Sequence, residues 1–311
     1  MSDVSSLSPL VSMAVAWTLL VGGAYLAAVL GIALRPSLPD VSRTSPFLEP
    51  LRTAAALLTQ QPSITERPDM LLWLIAPASY AALAGVALTV VPLDEALAIA
   101  DVQTGIVLFG AAEALAIVAV FLRGWSPNSH FALQGGFRFV AVGLSYELLS
   151  MFVLIAAALP AESLQVSAIV EAQAGLWNVI RQPLGLPLWV LVTLGVTFTG
   201  PFDLAEGSDL TGGVSIESSG RDLLLWQAAR GGMLAVFSAM GAAVFLGGWF
   251  GPWLPGWIWM GLKTLALMTL TTWVGQRAAR LPVQRTVTLL WTIGLPAGFA
   301  HLLVAGLEAL R

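Results

Sequence analysis

The chain has 311 residues, of which 57% are hydrophobic and 10% charged, whereas soluble domains run to roughly a quarter charged. This excludes an ordinary soluble domain, and the long continuous apolar runs exclude an outer-membrane barrel, whose strands read as short alternating segments. The absence of cysteine rules out disulfides, cysteine-ligated iron–sulfur clusters and thiol catalysis in this chain. The formal net charge of −4 says less than where the positive charges fall.

In chain order, the first apolar run, 8–34, is long enough to span a bilayer and has no basic residues before it, unlike a cleavable signal peptide. The stretch FLEPLRTAAALLTQ, 47–60, is too short and too polar to span and suits an amphipathic helix lying in the membrane interface. Further spans are expected over 70–93, 102–123, 137–159, 183–200, 222–248, 256–274 and 286–307, making eight in an all-α polytopic membrane protein. The fifth is short and bounded by Pro187 and Pro201. Ten arginines (35, 43, 52, 67, 123, 138, 221, 277, 280 and 285) fall in or beside one set of loops, while Arg181 and Arg311 fall on the other side. By the positive-inside rule the first set is cytoplasmic, so both termini face outward.

The outward loops differ in character. DEALAIAD, 94–101, is acidic. Residues 160–182 are longer, with a surface helix expected around 163–174. WFGPWLPG, 249–256, has two tryptophans suited to an interface. Most of the 12 tryptophans sit near expected span ends and read as interfacial anchors. No soluble domain, linker or internal repeat stands out. Residues 1–311 read as one membrane domain, expected to work inside a larger complex.

The stretch with the strongest chemical character is PFDLAEGSDLTGGVSIESSG, 201–220. It concentrates Asp203, Glu206, Asp209 and Glu217 between two spans, with glycines that permit tight turns. A solvated loop is the plain reading; a docking or coupling loop is the functional one. Within the spans lie Glu113, Glu147, Arg230 and Lys263, with Arg138 near a span start. Charges at that depth face protein or water and have partners. Arg138 and Glu147 are about two and a half turns and about 14 Å apart along a helix, so they do not pair with each other. The set reads either as a polar route for ions or as interhelical ion pairing, and a buried Arg230 is expected to have a carboxylate partner, with Glu147 or Glu113 favoured. His130 and His301 are far apart in sequence; His130 reads as a surface or interface residue, and no metal site is expected.

These motifs together resemble a known family. FLEPLRTAAALL, LLWLIAP, GWSPNSHFALQGGFR, LSYELL, EAQAGLWNVIRQPLG, PFDLAE, IESSG, FLGGW, LPGWIWMGLK and LLWTIGLP follow one another over about 46–305. In this order and spacing they resemble the subunit 1 family of respiratory complex I, the quinone-site membrane subunit of NADH:quinone oxidoreductase. That family is related to membrane subunits of group 4 energy-converting hydrogenases and formate hydrogenlyase. The resemblance implies about eight spans with an outward N-terminus. It implies cytoplasmic loops that dock a peripheral arm with an iron–sulfur small subunit and a hydrogenase-like large subunit, and carboxylates leading toward antiporter-like membrane subunits. Carried over residue by residue, Glu147 matches the family's Ser-Tyr-Glu glutamate and Arg138 the arginine before it. Asp203, Glu206, Asp209 and Glu217 match the acidic loop, and Lys263 matches a lysine of the seventh span.

The departures are specific. Where complex I has Glu-Thr-Asn-Arg before its PFDL, this chain has Val196, Thr197, Phe198 and Thr199. Charged residues of the amphipathic helix become Thr53, Ala56, Gln60 and Gln61. A sixth-span glutamate aligns with Arg230, and Glu113 stands where a small polar residue is common. A proton route needs ionisable or hydrated groups at close spacing, so these changes point to a divergent complex with another electron carrier or transported species, and leave quinone binding open. The expectation is a non-catalytic membrane subunit of an ion-translocating redox complex, the proton being the first candidate, in a prokaryotic cytoplasmic (inner) membrane. It would bind no cofactor itself, with iron–sulfur clusters in partner subunits. A scaffold that has lost coupling and a stand-alone transporter are the alternatives.

Overall fold

A computed structural model describes residues 9–36, 45–95, 97–206 and 213–309. Asp209, one of the loop carboxylates, lies outside them. The described residues are helical, with a single isolated bridge between Asp94 and Leu97. Each expected span contains a helix: α1 (Pro9–Ala33), α3 (Met70–Thr89), α4 (Gly105–Trp125), α5 (His130–Ala158), α8 (Gly185–Val196), α9 (Gly220–Phe245), α10 (Gly256–Arg277), and α11 (Val283–Leu289) continuing through a π-helical turn at Leu290–Gly294 into α12 (Leu295–Ala309). Six are long and apolar enough to cross a membrane: α1, α3, α4, α5, α9 and the continuous 283–309 segment. The chain is thus an all-α polytopic membrane protein.

Two expected spans fall short of that standard for different reasons. α10 has the length, but its tryptophans, threonines, Lys263 and Arg277 dilute the apolar character. α8 has 12 helical residues, so its rod is about 18 Å long, against a hydrocarbon core of about 30 Å. Its sequence ends at Thr197–Thr199, and Pro201 in the next turn cannot donate to a continuing helix.

The amphipathic stretch folds as α2 (Glu49–Thr59). Leu51, Ala54 and Leu58 recur at helical spacing on one face, and Leu51 and Leu58 are exposed. With Glu49, Arg52, Thr53 and Thr59 on the opposite face, the helix has the sidedness of an interfacial element. Gln60, just beyond its end, accepts the Gly220 N–H on Oε1, and Ser219 Oγ accepts the Ser63 N–H. Gly220 has φ +61°, and a Cβ there would sit 3.1 Å from the Gln60 carbonyl. Glycine therefore allows the close crossing of the two segments.

α9 is the hub. α1, α3 and α10 pack along it, and α2 lies against it; from Gly232 to Phe245 nearly every residue is buried. α4 packs between α3 and α5, and α12 covers another face of α5.

Loops at each end are tied to one another. At one end, Thr65 donates to the Pro127 carbonyl, Ser129 to Glu217, Arg280 to Asp203 and Arg123 to Asp222. At the other, Asp101 accepts from Gln165 and Ser167. The motif EAQAGLWNVIRQPLG is explained there. Gln173 donates to the carbonyls of Ile169 (3.1 Å) and Ala243 (2.9 Å) and accepts from the backbone N–H groups of Asn178 (3.1 Å) and Gly247 (3.0 Å). Asn178 donates to Val244 and Gln182 to Ala156. These amides occupy carbonyls that the last turns of α5 and α9 leave without intrahelical donors.

The structure corrects two expectations. The helix within 163–174 is shorter, α6 (Val166–Glu171), and not superficial: Val166, Ile169 and Val170 are buried, and it packs on α9. Trp189 and Trp226 are not interfacial anchors. Both are fully buried and donate inward, Trp189 to the Phe237 carbonyl at 2.9 Å and Trp226 to Glu206. A tryptophan near a span end satisfies the anchor pattern whether it faces lipid or protein.

Gln173→Leu should strand four buried backbone groups. The expected loss is about 2–4 kcal/mol, since each unmet group costs about 1–3 kcal/mol and part is relieved by relaxation. Unfolding followed in mild detergent measures it; an unchanged transition would show that the amide is dispensable.

Candidate functional site

The described part of the acidic loop folds back onto the helix bundle. Gly200 (φ +64°) opens a single helical turn, Gly200–Phe202, and a Cβ there would lie 2.6 Å from the Gly275 backbone. The loop is thus pressed against α10. Glu206 is held on three sides. One oxygen accepts from Ser215 Oγ at 2.5 Å and from the Trp226 indole N–H; the other lies 3.3 Å from Arg230 Nη1.

Arg230, about three turns into α9, links this carboxylate to the broken end of α8. Its Nη2 donates to the carbonyls of Phe198 (3.0 Å) and Thr197 (3.3 Å), and its guanidinium lies 5.2 Å over the Phe198 ring. Those carbonyls belong to a helix C-terminus, where a cation is favoured. Phe198 has φ +52°, a backbone conformation that costs a bulky residue about 1 kcal/mol or more. Neighbouring rings hold it there: Tyr80 at 5.9 Å, Phe139 at 4.6 Å and Trp226 at 6.0 Å. Tyr80 donates to the Val196 carbonyl at 2.9 Å.

Arg230 therefore has a carboxylate partner, but it is Glu206 and not Glu147 or Glu113. The loop residue reaches back to the α9 helix that follows it, while the two span glutamates lie deeper, between α4 and α5. There Glu113 is 1% exposed; one of its oxygens accepts from Ser150 Oγ at 2.6 Å and the other is buried without a partner. Glu147 Oε2 and the Tyr146 hydroxyl are likewise buried and unpartnered. Glu113 and Glu147 lie within Coulomb range of each other, and Tyr146 within range of both and of Tyr80; Tyr80 in turn is within range of Arg230 and Glu206. The carboxylates and tyrosines thus form a succession from the loop into the α4–α5 contact.

The other named residues fall elsewhere. Asp203 Oδ2 pairs with Arg280 at 2.6 Å, beside a cavity also lined by Arg138. Glu217 accepts from Ser129 at 2.8 Å and fixes the loop to the start of α5. Lys263 stands apart from the succession. It donates to the carbonyls of Gly248 (2.8 Å) and Phe250 (2.6 Å) and lies 4.3 Å over the Trp177 ring. It clamps the α9–α10 turn at the opposite end of the bundle. His130 is exposed, while His301 is buried beside Gly185. No group of three or more acidic or histidine side chains with metal-binding proximity occurs among the described residues.

One element was not legible in the sequence. Arg123, counted above only as a loop charge, is 1% exposed. It forks onto Asp222 (2.9 and 2.6 Å), donates to Ser218 Oγ at 2.5 Å, and is sandwiched between Trp73 (5.7 Å) and Trp226 (5.5 Å). A basic residue at the end of a span carries the same topological signal whether it faces water or protein. The Gly-Trp after it and the Asp222 partner almost a hundred residues on gave no local cue.

Arg123→Leu should destabilise the fold by about 3–5 kcal/mol because Asp222 keeps its charge without its partner. Arg123→Lys should recover only part of this, since an ammonium cannot reproduce the planar fork between two indoles. Unfolding in detergent ranks the variants; equal stability of Lys and Arg would refute the fork's role.

Burial pushes the Asp203 carboxyl above the usual aspartate range, opposed by Arg230 and Arg280. A carboxyl raised in the folded state binds its proton more readily there than in the unfolded chain. This group's contribution therefore makes stability rise as pH falls from the raised value toward the ordinary one, and then level off. Asp203→Asn should remove that slope. Unfolding midpoints measured across mildly acidic pH test it; an unaltered slope would assign the dependence to another group.

The comparisons with known proteins agree with the motif order. A model of the NADH dehydrogenase family matches residues 10–306. Among curated relatives, the NADH-quinone oxidoreductase H subunit (the first of two) of Rhodopseudomonas palustris (strain BisB5) is 33% identical over 269 residues, covering 86% of this chain and 84% of that protein. The corresponding H subunit of Geobacter metallireducens is 32% identical over 277 residues, covering 85% and 84%. That of Rhodospirillum rubrum is 31% identical over 267 residues, covering 83% and 79%. The chain belongs to the NADH dehydrogenase family of membrane subunits, the complex I subunit 1 family.

Proposed function

We propose that this chain is a membrane subunit, without catalysis of its own, of a complex I-related redox complex that moves an ion, first of all the proton, across a prokaryotic cytoplasmic membrane. It spans that membrane eight times as one domain, with both termini outward and the arginine-rich loops in the cytoplasm. Those loops, with Asp203, Glu206, Asp209 and Glu217 among their residues, anchor a peripheral arm of iron–sulfur and hydrogenase-like subunits. The α4–α5 carboxylates pass protons toward antiporter-like membrane subunits. The names of the relatives, subunits of NADH-quinone oxidoreductase, support the redox setting.

The observation that carries the reading is the buried pair Glu113 and Glu147, each with an oxygen lacking any partner. A pair kept only to fix helix register would be saturated by hydrogen bonds or an opposite charge, because an unmet buried carboxylate oxygen is costly. These two retain acceptor capacity, which suits groups that take up and release protons. Glu206 and Arg230 supply the link to the loop. A redox-driven shift of the loop would displace Glu206, loosen Arg230 from the carbonyls of Thr197 and Phe198, and alter the field at Tyr80, Tyr146 and the glutamate pair. The sign reversal at Arg230 does not leave a bare cation on this path, since Glu206 neutralises it. This weakens the main argument for a scaffold without coupling.

Glu113→Gln and Glu147→Gln in the purified complex, reconstituted in liposomes, test the reading. Electron transfer should persist while ion uptake per electron falls by roughly two orders of magnitude, as expected when a proton-transferring group is removed. Full pumping by both variants would instead establish the scaffold reading. Purification through a tag on this chain should recover iron–sulfur and antiporter-like partners.

A further inference from the structure

A second feature lies beside the acidic loop and is not used by the carboxylate succession. A cavity of about 620 Å³ opens between the first turns of α5, the loop after α8 and the α10–α11 connection. Among the described residues its charged lining is Arg138, Arg280 and Asp203, which leaves a positive balance. Arg280 binds Asp203 Oδ2 at 2.6 Å with its side chain still 38% exposed. Asp203 Oδ1 is buried and has no donor. The cavity therefore offers guanidinium donors for an anion and one acceptor for a hydroxyl.

An apolar track leaves the same cavity. Phe137, at its rim, is 56% exposed. Ala141, Leu144, Leu148, Met151 and Ile155 continue from it at alternating spacings of three and four, all exposed on one face of α5. The track is about 27 Å long, ample for an acyl chain that reaches mid-bilayer. The arginines stand at its top, at the end of the bundle that carries most of the positive charge.

We infer that this cavity seats the headgroup of an anionic phospholipid of the phosphatidylglycerol type, with an acyl chain along the α5 track. The phosphate meets Arg138 and Arg280, and a glycerol hydroxyl donates to Asp203 Oδ1. A free phosphate would use the cations and leave the track without purpose. A partner helix would use the track and leave the charged cavity unexplained. Only a molecule with both an anionic head and an apolar tail accounts for the two together. Basic side chains at this depth attract anionic headgroups electrostatically.

The test uses the full chain purified with its partners in mild detergent and a phosphatidylglycerol carrying a photoreactive acyl chain. Labelling should map to peptides of the α5 track and should exceed labelling by the matching phosphatidylcholine. Arg138→Gln should weaken retention about fivefold, the effect of one basic residue near an anionic lipid. Ala141→Trp keeps both arginines and should block the track, so it decides the matter if the arginine variant does not assemble. Excess inorganic phosphate should not displace the lipid. Displacement by phosphate would identify a simple anion site and overturn the inference. So would equal labelling in Ala141→Trp, or crosslinking of a partner helix to the track with no lipid retained.

Discussion

The Glu206 carboxylate holds the cytoplasmic-loop end of this structure together. A single side chain gathers an indole from α9, a hydroxyl from the far arm of the loop and a guanidinium that reaches the end of α8. Such charge-assisted contacts are roughly twice as strong as neutral ones, and here they converge where a span ends prematurely. Trp226 is shared with a second ion pair, since its other face lies under Arg123. Two ionic clusters thus meet on one buried indole, and neither can move far without disturbing the other.

The relation between Arg230 and the loop before it reads as an exchange. Related complex I subunits are expected to have an arginine just before PFDL and a glutamate in the sixth span; this chain has Thr199 and Arg230 at those positions. The guanidinium of Arg230 reaches the carbonyls of Thr197 and Phe198, the segment from which the family's charges are missing. A cation has been lost from one wall and gained from the facing wall. The local charge is conserved although two positions changed, which explains how the fold tolerates a buried sign reversal.

Much of the fold was legible because it depends on a one-dimensional signal. Apolar run length located all eight helices, and the polar break at FLEPLRTAAALLTQ located α2. The site was less legible because it depends on rotation and on contacts distant in sequence. Whether Glu113 faces Ser150 or Arg230 is set by how α4 turns against α5, and a change of about 100° per residue is invisible in composition. The Glu206–Arg230 pair joins a loop to the helix after it, where carboxylates at several positions could have served. Trp189, Trp226 and Arg123 were misread for one reason: proximity to a span end is compatible with facing either lipid or protein.

The premature end of α8 has an electrical consequence. Backbone that is not helical at membrane depth persists only where protein or water covers it. At this level it is surrounded by Arg230, Glu206 and the rings about Phe198. Polar material of this kind has a higher dielectric constant than lipid, so the transmembrane potential falls less across it and more steeply across the roughly 18 Å rod that remains. A charge displaced along that rod would sense a larger share of the voltage per ångström than one crossing intact bilayer, where 100 mV is worth about 2.3 kcal/mol over the full thickness. A shortened helix therefore does more than shape a recess: it sets where in the protein the membrane's voltage acts.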